Sequence, residues 1–244
     1  MGERMTIQLA DGPAPAYLAT PKTDGPHPAV LFYMDALGLR QTLTQMADRL
    51  AESGYVVLLP ELYYRAGEYA PFEGKKVFAK VEGEFERVMG MVKALQMDGV
   101  MGDTERMLEE LALRPEVKPG PVGTVGYCMG GGFALAAGCH FPDRIGAVMS
   151  FHGGGFVTEA ESPDVIGEKM HAAVYLGVAE TDGRHDAAVS ERLEAALTRA
   201  DVPHHIKVYS GAAHSFAVPD LPVFDAKASE QHWQRMLAWF GEHL

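Results

Sequence analysis

The sequence predicts an α/β fold: a mainly parallel central sheet flanked by helices, with a short antiparallel β pair near the N-terminus. Three observations carry this. Nearly unbroken apolar runs recur at Ala29–Met34, Tyr55–Leu59, Ala147–Phe151 and Ala172–Val178, as strands covered on both faces require. Segments with helical spacing separate them. Polar residues able to do chemistry, namely Asp35, Cys128, His152, Asp182 and His214, fall just past the strand ends, where open α/β sheets bind ligands.

In chain order, Thr6–Leu9 and Ala16–Ala19 read as the β pair, turned by Asp11-Gly12-Pro13. The strand Ala29–Met34 stops at Asp35-Ala36-Leu37-Gly38. Leu39–Ser53 has a helical apolar face of Leu43, Met46, Ala47 and Leu50, closed by Gly54. Pro60 ends the next strand, and a loop from Glu61 to Gly74 holds Tyr63, Tyr64, Arg65 and Tyr69. Lys75–Met97 keeps helical period through Val81, Phe85, Val88 and Val92, and Asp103–Leu113 is a second helix ended by Pro115. After the central Val122–Leu135 stretch, the strand Ala147–Phe151 runs into His152-Gly153-Gly154-Gly155. Ala172–Val178 leads to Glu180-Thr181-Asp182-Gly183. Ala187–Asp201 is helical, His205–Tyr209 is the last strand, and Lys227–His243 is an amphipathic helix.

Composition sets bounds. With 244 residues, 47% hydrophobic and 22% charged, the chain suits one globular domain spanning 1–244, and no composition shift marks a second. The formal net charge of -12 argues against nucleic acid or an anionic membrane as partner. No apolar run is long enough to span a bilayer, and the first residues lack a signal core. Two cysteines, Cys128 and Cys139, lie along one predicted helix, too far apart to bridge. A reducing, cytoplasmic setting is the simplest reading. The ten histidines show no paired metal spacing, so neither a metal nor another cofactor is expected.

The chemistry centres on Gly126-Tyr127-Cys128-Met129-Gly130, a strand-to-helix junction with one cysteine between glycines. This is the pattern of a nucleophile elbow, a sharp turn that presents one reactive atom. The glycines suit a strained turn with no room for Cβ atoms. The N-terminal end of a helix favours thiolate over thiol. The Met129 N–H would face a developing oxyanion. Elsewhere in a chain, a cysteine is more often a small buried hydrophobe.

A thiol nucleophile needs a base and a group that orients the base. Cys128, Asp182 and His214 follow their strands in the order nucleophile, acid, histidine. Asp-Gly at Asp182 is otherwise a turn, and His214 a loop histidine. The competitors are Asp186 and His185 for the acid and His204 and His205 for the base. Asp186 reads better as a helix cap, and the two histidines sit at a strand start.

These residues resemble the dienelactone hydrolase family of α/β-hydrolases over nearly the whole chain. The matching motifs are Gly126-Tyr127-Cys128-Met129-Gly130-Gly131, Leu176-Gly177-Val178-Ala179-Glu180-Thr181-Asp182 and Gly211-Ala212-Ala213-His214-Ser215-Phe216. The resemblance implies an α/β-hydrolase fold and a Cys-His-Asp triad that cleaves a small-molecule ester or lactone through a thioester. It implies an oxyanion hole from the N–H groups of Ala36 and Met129.

Two departures bear on substrate. Members acting on dienelactone carry glutamate where this chain has Asp35, which is one methylene shorter. The resemblance gives that carboxylate a part in generating thiolate; a turn or N-cap role before the following helix is the alternative. Those members also use an arginine where this chain has Val218. Arg65 either replaces that grip in part or is a solvated surface residue. Tyr63 and Tyr64 either line the pocket or cover apolar surface. His152 either contacts substrate or satisfies a loop carbonyl. Phe216, beside the histidine, completes the substrate-binding candidates. Cys139 and His140 read as packing and capping residues.

Three rivals remain. A cysteine amidotransferase pairs its histidine with an acid two residues on, whereas Phe216 stands there. A thioester or amide acyl hydrolase would use the same triad. A silent binding protein of this fold is separated by whether Cys128→Ala changes ester turnover. The chain is expected to be a monomer or a small homo-oligomer.

Overall fold

The computed structural model describes residues 2–153, 168–183 and 187–244. They form an eight-stranded sheet in the order β1-β2-β4-β3-β5-β6-β7-β8. The strands are β1 (Glu3–Leu9), β2 (Gly12–Ala19), β3 (Ala29–Tyr33), β4 (Val56–Pro60), β5 (Val122–Tyr127), β6 (Ile145–Phe151), β7 (Ala173–Thr181) and β8 (His204–Ala213). β1 and β2 form the antiparallel pair, β2 also runs antiparallel to β4, and the remaining neighbours are parallel. Every residue of β3, β4 and β5 is buried, as their apolar runs require. The expected N-terminal turn is tighter than its sequence suggested: Gly12 and Pro13 already belong to β2.

The helices are α1 (Gln41–Glu52), α2 (Gly74–Phe78), α3 (Glu84–Ala94), α4 (Met97–Ala112), α5 (Met129–His140), α6 (Ala187–Arg199) and α7 (Ala226–His243). Two neighbours on β5 show how they are layered. A Cβ on Gly123 would strike Phe240 and Leu244, whereas Thr124 Oγ1 donates to the Ala134 carbonyl, 3.2 Å away in α5. Successive strand residues point to opposite faces, so α7 and α5 cover opposite sides of the sheet. α1 shares the side of α7, where Arg49 pairs with Glu230 at 2.8 Å and lies over the Trp233 ring. Among the described residues, no helix is long and apolar enough to cross a membrane.

The structure divides the single helix expected over Lys75–Met97. α2 ends at Phe78, the chain turns through Lys80 (φ 50°) and Gly83 (φ 82°), and α3 then starts. Gly83 adopts the left-handed conformation without a Cβ penalty, which breaks a pattern whose apolar spacing alone reads as continuous. α4 starts at Met97 rather than Asp103. Gly99 and Gly102 lower helix propensity there, but burial of Val100 and Met101 outweighs them.

β7 and β8 run further than their apolar cores, to Thr181 and Ala213. Thr181 pairs with Ala213 across a register shift, and His214 N–H donates to the Thr181 carbonyl at 3.1 Å. The next residue on each strand, Asp182 and His214, is thereby brought alongside the other. The helix after β7 starts at Ala187, so the Asp186 and His185 readings, like Gly154 and Gly155, lie outside the described residues.

Candidate active site

Cys128 stands between β5 and α5 with φ 55° and ψ -120°. A non-glycine residue there is strained by roughly 1–3 kcal/mol and persists only where its surroundings fix it. Here the surroundings are close backbone. A Cβ on Gly126 would collide with the Gly130 backbone, and one on Gly130 with the Tyr33 and Met34 carbonyls at the end of β3. The Cys128 N–H lies 3.2 Å from the Phe151 carbonyl and 3.2 Å from His152 Nδ1. Its carbonyl accepts from Gly131 N–H at 3.1 Å.

The Cys128 sulfur lies 3.2 Å from His214 Nε2. On the other side of the ring, His214 Nδ1 donates to Asp182 Oδ2 at 2.7 Å. The Asp182 side chain is 1% exposed and that of His214 21%. Burial would lower the His214 pKa, but the hydrogen bonds to Asp182 and Cys128 outweigh it and push it up to about 9. His204 and His205 sit at the opposite end of β8, where His204 Nδ1 meets the Val202 carbonyl at 2.7 Å and His205 lies against Tyr175.

The three side chains open into a cavity of about 490 Å³ that Asp35, Ala36 and Met129 also line. Among the described residues, neither the Ala36 nor the Met129 N–H donates a hydrogen bond. Tyr63 fixes both residues from behind: its hydroxyl donates to the Ala36 carbonyl at 3.1 Å and lies 3.5 Å from the Met129 sulfur. Tyr63 is 2% exposed and is not part of the cavity wall.

Asp35 faces the cavity but is occupied. Arg40 donates to both of its oxygens, at 2.7 and 2.8 Å, and the Leu37 N–H adds a third bond at 2.9 Å. Arg40 also reaches both oxygens of Asp220, at 2.7 and 3.0 Å. No hydrogen bond joins Asp35 to Cys128 among the described residues. Asp35 is a turn residue and not the N-cap of α1, a position that Arg40 takes.

The other substrate-binding candidates lie outside the cavity wall. The Tyr64 hydroxyl and the Arg65 guanidinium are drawn away to buried Asp103, and Arg65 also binds Asp11 at 2.6 Å. Val218 and Phe216 are fully buried, with the Phe216 ring 4.7 Å from Tyr209 and 5.4 Å from His152. His152 is 1% exposed, so its place is beneath the elbow rather than against a ligand. Burial, then the neighbouring His214 and His232, hold it neutral. Its Nδ1 faces the Cys128 N–H, and among the described residues its Nε2 has no hydrogen-bond partner.

Sequence reasoning missed Arg40, Asp220 and the apolar wall that α2 and α3 contribute to the cavity, including Val77, Phe85, Val88 and Met89. The helical period through Phe85, Val88 and Val92 was the available signal for the wall. Nothing local announces a contact spanning Arg40 to Asp220.

Comparison with known proteins adds a second line of observation. The model of the dienelactone hydrolase family matches residues 14–244. A Synechocystis protein provisionally named a carboxymethylenebutenolidase is 28% identical over 237 residues, covering 93% of this chain and 91% of its own. A crystal structure from Klebsiella pneumoniae, provisionally titled a dienelactone hydrolase, superposes with a TM-score of 0.83 at 25% identity, covering 100% of this chain and 99% of its own. A dienelactone hydrolase-like promiscuous phosphotriesterase from metagenomic libraries shares the fold, with a TM-score of 0.78 at 19% identity and coverage of 100% and 98%. The architecture is that of the α/β-hydrolases.

Proposed function

We propose, from the premise that this chain belongs to the dienelactone hydrolase family, that it hydrolyses a carboxylic ester or lactone through a thioester on Cys128. The observation that carries this is the continuous contact from the Cys128 sulfur to His214, 3.2 Å, and from His214 to Asp182, 2.7 Å. A nucleophile within reach of a base, itself oriented by a carboxylate, is the arrangement covalent catalysis needs.

The Cys128 sulfur, as thiolate beside protonated His214, attacks the carbonyl carbon. The N–H groups of Ala36 and Met129 receive the oxyanion, and losing one such donor typically costs roughly 2.7–4 kcal/mol. The tetrahedral species collapses, the carbon–oxygen bond to the alcohol breaks, and His214 gives its proton to the departing alkoxide. A lactone's alkoxide stays tethered to the acyl group. Neutral His214 then takes a proton from water, hydroxide attacks the thioester, and the carbon–sulfur bond breaks. The acid leaves, with the thiolate and protonated His214 restored. Asp182 holds the ring in place throughout and keeps its charge.

The test is pre-steady-state hydrolysis of p-nitrophenyl acetate. The wild type should release a burst of nitrophenolate that Cys128→Ala lacks. Equal rates for the two proteins would return the chain to the class of silent binding proteins.

A further inference from the structure

The cavity wall divides by chemistry. At one end stand Cys128, His214 and Asp182. Much of the rest of the lining is carbon, from Val77 and Phe78 in α2, Phe85, Val88 and Met89 in α3, and Leu221. Phe78 in this wall is 38% exposed. Large apolar side chains left in water around a concave site mark it for an apolar ligand.

The charges near this wall offer an anion little. Arg40 already holds two carboxylates, Asp35 and Asp220, with two bonds to each. Asp182 is a buried acceptor facing His214. The described wall has two further cations: protonated His214, already engaged by Asp182 and Cys128, and Lys80, in the exposed turn between α2 and α3, where its ammonium stays in solvent. Among the described residues, the carbon-lined part offers a substrate carboxylate no partner in exchange for its lost hydration.

We infer that the substrate is a neutral ester or lactone carrying a medium-sized apolar group, seated against the α2–α3 wall with Met89 as a specificity-determining residue. This rests on the hydrolase reading of the same site and adds the substrate class. It predicts that each methylene placed on the wall raises kcat/KM by up to about fourfold, the ratio that about 0.8 kcal/mol of burial gives.

The experiment compares p-nitrophenyl acetate, p-nitrophenyl hexanoate and mono-p-nitrophenyl glutarate, which has similar reach but ends in a carboxylate. The wild type should prefer hexanoate to acetate by roughly tenfold or more and should disfavour the glutarate. Met89→Lys should reverse the order of hexanoate and glutarate. Preference of the wild type for the glutarate, lost in Lys80→Gln, would overturn the inference and make Lys80 an anion grip. Equilibrium binding of the intact esters to Cys128→Ala separates the two layers. Tighter hexanoate binding without wild-type turnover removes the chemistry and keeps the substrate class. Turnover of acetate with equal or anion-favouring binding removes the substrate class alone.

Discussion

Arg40 grips both oxygens of Asp35, at 2.7 and 2.8 Å, and through this pair the loop carrying Ala36 is fixed at the end of β3. The Asp35 side chain is 3% exposed and that of Arg40 16%, so the pair is shielded from water. Removing one member of such a pair leaves an uncompensated charge. Arg40→Met should therefore lower stability by about 3 kcal/mol in urea unfolding. Arg40→Met with Asp35→Asn should recover more than half of that, because the more buried of the two stranded carboxylates is gone and Asp220, 37% exposed, keeps water. Additive losses would mean that the pair is not coupled.

Two histidines give stability opposite pH dependences. His214 rises from 6.5 to about 9 in the folded protein, its burial outweighed by the bonds to Asp182 and Cys128. Folding thus holds a proton that the unfolded chain releases above pH 6.5. That stabilisation is full below pH 6.5 and is lost as pH rises through about 9. His232 is lowered by burial from 6.5 to about 3, so the unfolded chain binds the extra proton, and stability falls as pH drops from 6.5 towards 3. Unfolding free energies measured across pH for wild type, His214→Gln and His232→Gln should show each slope flattened in its own variant. Unchanged slopes would contradict these assignments.

Two glycines should respond oppositely to alanine. Gly130 lies against the Tyr33 and Met34 carbonyls, and backbone cannot yield as a flexible side chain can. Gly130→Ala should cost at least about 1–3 kcal/mol and abolish any activity of the elbow. Gly90 lies inside α3 with nothing within 4 Å of a Cβ, so Gly90→Ala should stabilise by roughly 0.5–1 kcal/mol. Thermal unfolding of both variants checks the pair.

His152 is buried against the elbow, with its Nδ1 on the Cys128 N–H. Its Nδ1, 3.2 Å from the Cys128 N–H, helps retain a strained backbone conformation. His152→Leu keeps the volume and removes the acceptor, which at about 1 kcal/mol corresponds to roughly a fivefold loss. The loss should fall on kcat, with KM little changed. A rise in KM alone would make His152 a ligand contact.

Much of the fold was readable because burial on both faces writes itself as apolar runs, as in Val56–Leu59 and Ala147–Phe151. The ends of β7 and β8 were not, since Thr181 pairs with Ala213 only across a register shift and the Gly211 N–H donates to the Glu180 carboxylate at 2.8 Å. The elbow was readable because its constraint is local: Gly126, Cys128 and Gly130 meet within one turn. The cavity wall was half-visible: its period reads as one helix, and the turn through Lys80 and Gly83 that separates α3 from α2 does not show in it. The clamp from Arg40 to Asp35 and Asp220, and the support that Tyr63 gives Ala36 and Met129, join segments far apart in the chain. No spacing rule reaches them.

The most direct measurement is mass spectrometry of the protein quenched in acid during turnover of p-nitrophenyl acetate. The account predicts one acetyl group on the peptide containing Cys128 in the wild type, slower to form and slower to leave in His214→Gln, and none in Cys128→Ala. Hydrolysis that persists in Cys128→Ala, with no acetylated Cys128 in the wild type, would contradict it.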